Sequence, residues 1–171
     1  MHAEARHAVE RIADAYGLRD RTDLAVCDLG GRNINGSVRD LFAAEDWTAV
    51  DSADGPGVDI VADARTWKPA RGYGLVLCTE VLEHVPGWQS ILTTAETALA
   101  PGGVLIVTCA SDRRQPHGTG GGQWPEPGEH YSNVPPAELL AELANNFPGS
   151  WGMEYGYPPG DLYAWAQKEH R

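Results

Sequence analysis

Apolar positions along this chain fall into short continuous runs that alternate with stretches of helical period. The runs at Leu24 to Cys27, Trp47 to Val50, Val58 to Ala62, Tyr73 to Cys78 and Val104 to Cys109 read as strands. Unbroken segments such as Gly-Leu-Val-Leu-Cys and Val-Leu-Ile-Val-Thr-Cys are what a strand covered on both faces requires, which places them in the middle of a parallel sheet. Between them lie an amphipathic helix from Glu4 to Tyr16 stopped by Gly17, a short helix near Ser37 to Phe42, and helices at Trp88 to Leu99 and Pro136 to Asn146. Pro101-Gly102-Gly103 reads as a helix stop followed by a tight turn. The last two β-like runs, Trp151 to Tyr157 and Leu162 to Gln167, flank Pro158-Pro159-Gly160 and predict an antiparallel hairpin. The alternation predicts an α/β fold of three layers with a mostly parallel twisted sheet, as a single domain over residues 1–171.

One junction departs from that rhythm. Between Asp51 and Val58 only a short loop built on Asp54-Gly55-Pro56-Gly57 remains, whereas a parallel crossover usually takes about a dozen residues. A short, irregular edge strand is expected there instead of a full strand-helix-strand unit.

Composition narrows the partners. A net charge of -11 argues against a broad basic surface for nucleic-acid phosphates, so a small-molecule or protein substrate is favoured. No apolar run approaches the roughly 18 residues of a membrane span, and the N-terminus lacks the apolar core of a signal peptide, so a cytoplasmic location is expected. Cys27, Cys78 and Cys109 each lie inside an apolar run with no CxxC spacing, which predicts buried, reduced thiols. No metal site is read from the sequence, because His117 and His130 lack helix or strand ligand spacing.

The candidate chemistry lies at the strand ends. Asp28 closes the first strand and runs into Leu29-Gly30-Gly31-Arg32-Asn33-Ile34-Asn35-Gly36, a turn whose glycines let backbone pass close beneath a polar, nucleotide-like ligand. Asp51 follows strand two, Asp63 strand three, and Thr79-Glu80 strand four. Parallel strands bring their carboxyl ends to one edge, so these groups should line a single cleft. There Asp51 can accept both ribose hydroxyls of a nucleoside, and Asp63 with Ala64 can read an exocyclic amine and its ring. Asp28 either binds a ligand ammonium, directly or through water, or fixes the glycine turn.

The run Asp28-Leu-Gly-Gly-Arg-Asn-Ile-Asn-Gly-Ser, then Thr-Ala-Val-Asp51, Val-Asp-Ile-Val-Ala-Asp63, Thr79-Glu-Val-Leu-Glu-His-Val85 and Leu99-Ala-Pro-Gly-Gly-Val-Leu105 resembles the class I S-adenosylmethionine-dependent methyltransferases, small-molecule branch (methyltransferase type 11-like). The resemblance covers Leu24 to Cys109. It implies a Rossmann-like sheet with an antiparallel final strand, S-adenosyl-L-methionine as cofactor and a small-molecule acceptor. By the same resemblance Asp28 and Gly30 approach the methionine moiety, Asp51 takes the ribose, Asp63 and Ala64 take adenine, and Thr79-Glu80 lies beneath the sulfonium; Gly31, Asn35 and Ser52 complete the cofactor-binding set. Two features depart from the family pattern. Arg32 and Ile34 precede Gly36 where alternating glycines are usual, and the helix usually found after strand two is missing.

The candidate catalytic residues are His84, His117 and His130. His84 beyond strand four either orients a substrate or acts as a base, or is a packed histidine that caps its turn. The long segment Ser111 to Gly128, rich in Arg, Gln, Pro, His, Gly and Trp, either closes over a substrate or is a glycine-rich surface loop. A catalytically silent module of the same fold is the alternative function. A nicotinamide-dependent dehydrogenase is disfavoured because Gly-x-Gly-x-x-Gly is absent after strand one.

Overall fold

The computed structural model describes residues 2–120 and 124–170. Seven strands form one sheet: β1 (Ala25–Leu29), β2 (Asp46–Asp51), β3 (Ile60–Val61), β4 (Tyr73–Thr79), β5 (Leu99–Ala110), β6 (Ser150–Gly156) and β7 (Asp161–Gln167). Their spatial order is β3-β2-β1-β4-β5-β7-β6. The first five pair in parallel, and β7 lies antiparallel against both β5 and β6. This is the expected Rossmann-like sheet with its antiparallel hairpin.

Two apolar layers hold it. Helix α1 (Ala3–Ala15) places Ala5, Ala8, Val9, Ile12 and Ala13 on one face, the i, i+3, i+4, i+7 stripe of an amphipathic helix. That stripe packs with Val38, Leu41 and Phe42 against Val26, Leu75 and Ile106 of the sheet. On the opposite face α2 (Gln89–Ala98) and α3 (Pro136–Asn146) bury Ile91, Leu92, Leu139 and Leu143 against Val76, Leu105 and Val107. Removing a side chain such as Ile91 or Leu139 from water is worth about 1.5–3 kcal/mol relative to exposure. Pro136 opens α3 at the one helical position where its missing N–H and fixed φ cost nothing.

Three local expectations are corrected. Ser37 to Phe42 forms only a 3-10 turn at Arg39–Leu41. The predicted strand Val58 to Ala62 shrinks to the two exposed residues of β3, because Asp59 ties the loop down first: its carboxylate accepts the Ala49 N–H at 2.8 Å and its own N–H donates to the Ala49 carbonyl. The result is the short edge strand expected at that junction, with no helix between β2 and β3. Pro101-Gly102-Gly103 is no turn between helix and strand. It is an irregularity inside β5, since Tyr73 pairs with Leu99 and Leu75 with Val104. Gly102 takes a φ of 75°, its N–H donates to the Lys168 carbonyl, and the Lys168 N–H donates to Gly103, so chain after β7 stabilises the bulge.

Candidate active-site cleft

Because β1, β2 and β4 run in parallel, their carboxyl ends open on one edge, where a cavity of about 540 Å³ lies. Its floor is the glycine turn. The Gly30 and Gly31 N–H groups both donate to the Val50 carbonyl, at 2.8 and 3.2 Å, which fixes the turn against the end of β2. Gly30 has a φ of 82°, and a Cβ there would lie 2.2 Å from Cγ2 of Val81. A Cβ on Gly31 would lie 2.8 Å from Ala49 Cβ. Only glycine fits either position.

Asp51 stands at the rim beside this turn. One carboxylate oxygen accepts the Ala53 N–H at 3.0 Å and the other the Arg32 N–H at 3.3 Å, which orients the group and leaves lone pairs free toward the cavity. Asp28 lies deeper. It is buried, its Oδ1 has no hydrogen-bond partner among the described residues, and burial followed by the charge of Asp51 pushes its carboxyl up to about 7. A buried acceptor of this kind is costly unless a donor or a cation reaches it.

The far end of the cleft is built on Thr79, Glu80 and the turn after β4. Glu80 is a non-glycine residue with φ 57°, a conformation held by its N–H bond to the Thr108 carbonyl and by the Thr108 hydroxyl on its Oε1 at 2.9 Å. Its other oxygen faces His2 Nε2 at 3.3 Å, and that same nitrogen lies 2.8 Å from the fully buried Asp161 at the start of β7. Contact with Asp161, then with Glu80, raises the His2 imidazole to about 10, so the residue just before α1 is a cation clamped over the cleft. Arg114 approaches Asp161 from the loop after β5, at 3.5 Å. Burial alone would raise the Glu80 carboxyl, but its contact with His2 brings it below the ordinary value.

Glu83 and His84 lie one turn farther on. Glu83 is fully buried, accepts the Ala110 N–H at 3.1 Å, and is pushed up to about 8 by burial and by the charge of Glu80. Its backbone carbonyl takes the Ser132 N–H at 2.8 Å, so this residue ties the end of β4 to both ends of the long loop. The rings of His84, His117 and Tyr131 meet edge to face, with centroids 4.9 to 5.5 Å apart. Burial, then the neighbouring His117, lowers His84 to about 4.

Among the residues expected to hold a cofactor, Asp28, Gly30, Gly31, Asn35, Asp51, Ser52, Thr79 and Glu80 all line the cavity. Asp63 and Ala64 do not. The Asp63 carboxylate is folded onto Arg65 at 2.6 Å, and Ala64 packs against the core. Of the three histidines, His84 and His117 are on the cavity wall, whereas the His130 side chain is exposed. Arg114, Gly118 and Thr119 of the long loop also reach the wall; positions 121–123 of that loop lie outside the described residues. His2 and Asp161 had no signal in the sequence, since a terminal histidine and a strand-initial aspartate become neighbours only through the sheet order. The three cysteines are buried and free, and burial pushes Cys27 up to about 12. Among the described residues no helix is long and apolar enough to cross a membrane.

The likeness to known proteins agrees with this geometry. One solved structure, the DhpI-SAH complex, superposes with a TM-score of 0.67 over 98% of this chain and 85% of its own, at 24% identity. The 1,6-didemethyltoxoflavin-N1-methyltransferase of Burkholderia thailandensis, with 1,6-didemethyltoxoflavin and S-adenosylhomocysteine bound, also gives 0.67, at 16% identity, over 98% of this chain and 79% of its own. At those identities the likeness is one of fold. A segment of 55 residues is 44% identical to trans-aconitate 2-methyltransferase of Streptomyces avermitilis; it makes up 32% of this chain and only 20% of that enzyme. Residues 1–147 match the family described as Methyltransferase domain, and with most of its length inside that match the chain belongs to this family.

Proposed function

We propose that the protein transfers a methyl group from S-adenosyl-L-methionine to a small-molecule acceptor. The observation that carries this reading is the unpartnered, buried Oδ1 of Asp28 above a floor that admits only glycine, beside a rim carboxylate with free lone pairs. A ligand with a cationic amino-acid end and a diol fits that donor and acceptor set. Asp28, Gly30, Gly31 and Asn35 would hold the amino-acid end, Asp51 and Ser52 the ribose, and Thr79 with Glu80 the region of the sulfonium. Asp63 and Ala64 would serve the adenine edge only after Arg65 lets go of the Asp63 carboxylate. The bound cofactor supplies an electrophilic methyl on a good leaving group, so the protein contributes alignment and exclusion of water. His84, His117 and Arg114 wall the acceptor end, where they orient the incoming nucleophile. His130, exposed and outside the cavity lining, is given no part in this reading. The chain covers a fifth of its trans-aconitate relative, so that enzyme's acceptor is not carried over. A cytoplasmic location goes with this reading, and the net charge of -11 favours an acceptor that is not a nucleic acid.

Calorimetry with S-adenosylmethionine and S-adenosylhomocysteine tests it. Both should bind, and Asp51→Ala should lose two charge-assisted hydrogen bonds, about 2–4 kcal/mol or roughly 30- to 1000-fold in affinity. No binding at millimolar cofactor would overturn the proposal; an unchanged affinity in the variant would overturn the ribose assignment.

A further inference from the structure

We propose that Glu83, His84 and His117 form a binding site for one divalent transition-metal cation of the zinc type at the acceptor end of the cleft. Each offers one ligand atom, and these atoms all lie within 4.8 Å of one another. His84 and His117 are 33 positions apart in the chain and meet only because the loop after β5 folds back over the turn after β4.

Three further observations point to a missing cation. The Glu83 carboxylate is fully buried, and among the described residues only one of its oxygens finds a hydrogen-bond partner, with none for Oε2. His84 Nδ1 is likewise buried and without a hydrogen-bond partner among the described residues. His117 Nε2 faces Glu83 Oε1 at 3.9 Å, too long for a hydrogen bond. Such a gap, flanked by a carboxylate and two imidazole nitrogens, suits an ion that all three can reach.

Second contacts support the rings as they do in metal sites, where one imidazole nitrogen is held and the other turned to the ion. His117 Nδ1 lies 3.3 Å from the Gln115 carbonyl, a contact that turns Nε2 toward Glu83. The His84 ring is held by its edge-to-face contact with Tyr131, centroids 5.5 Å apart. Ligand bonds of about 2.0–2.2 Å in tetrahedral geometry put ligand atoms about 3.4 Å apart. The rings would therefore draw in by about 1 Å, a movement open to His117 on its partly exposed loop. Two imidazoles and one carboxylate select zinc, cobalt, nickel or iron over magnesium or calcium, and three protein ligands leave a fourth position open. That position faces the cavity lined by His84 and His117. Given the methyltransferase reading, it is where an oxygen of the acceptor would sit.

The other histidine-carboxylate cluster, His2 with Glu80 and Asp161, carries no such site. His2 Nε2 itself stands between the two carboxylates, at 3.3 Å from Glu80 and 2.8 Å from Asp161, and Arg114 adds a second cation 3.5 Å from Asp161.

The test uses the untagged protein, stripped with chelator and titrated with zinc chloride or cobalt chloride, with metal content measured by mass spectrometry after dialysis. One equivalent should bind, and cobalt should give a visible absorption band. Glu83→Gln and His117→Ala should each weaken binding by roughly tenfold or more and abolish the band. Far-ultraviolet circular dichroism checks that both variants fold; Glu83→Gln keeps the side-chain shape, and His117 lies on a loop. Absence of stoichiometric binding to the wild type, or wild-type titrations from both variants, would overturn the site. S-adenosylhomocysteine binding by the chelated wild type is scored separately, so failure of the metal site and failure of the cofactor reading give different results.

Discussion

Gly30→Ala is the sharpest single test of the cleft floor, because its cost has two parts that can be measured apart. At φ 82° an alanine pays about 1–2 kcal/mol for a conformation that places Cβ against its own carbonyl. The new Cβ would also lie 2.2 Å from Val81 Cγ2 and 3.3 Å from Val81 Cβ and Cγ1, an overpacking that costs about 1–3 kcal/mol. The sum, about 2–5 kcal/mol, corresponds to a fall in melting temperature of roughly 5–15 °C for a chain of this size. Urea unfolding of the wild type, Gly30→Ala, Val81→Ala and the double variant separates the parts. Removing the Val81 methyls should recover the clash and leave the backbone strain, so the two substitutions should couple favourably by about 1–3 kcal/mol. Additive effects would show that Val81 does not crowd the turn, and an unchanged melting temperature would refute the close approach altogether.

Two predictions concern pH. The Asp28 carboxyl moves from 3.8 to about 7 on folding, so its contribution to stability is full below about pH 4 and is lost as pH rises through about 7. Urea unfolding should show the wild type losing about 2–3 kcal/mol relative to Asp28→Asn between about pH 5 and pH 8; parallel profiles would refute the burial argument. His2 moves from 6.5 to about 10, again a raised value, so its clamp on Asp161 and Glu80 is full below about pH 6.5 and disappears as pH rises through about 10. His2→Gln should be about 1–2 kcal/mol less stable than wild type near pH 6, with the difference vanishing near pH 11 in thermal unfolding; a constant difference would mean that the imidazole charge plays no part.

The strands that position the cleft were legible because their apolar runs are continuous and end in a carboxylate or a polar residue. Asp28, Asp51 and Glu80 reach one cavity for that reason alone. Asp63 follows the same pattern, yet its carboxylate pairs with Arg65 two residues on and does not line the cavity. The bulge in β5 was unreadable for a similar cause: Pro101-Gly102-Gly103 has turn chemistry, and it joins the sheet only because Lys168 and Gln167 supply hydrogen-bond partners from the far end of the chain. His117 was noticed as a candidate, but nothing in its neighbourhood in the sequence indicates Glu83 or His84. Contacts closed by a long loop leave no periodicity to read.

The sheet order has a consequence for how the molecule assembles. Strand β7 lies between β5 and β6, and among the described residues β6 pairs with no other strand. A nascent chain that has emerged only as far as Gly156 therefore holds β6 without a place to dock and leaves the inner edge of β5 bare. Docking of β7 satisfies both edges at once and also delivers Asp161 to His2, so the back of the cleft is completed in the same step that closes the sheet.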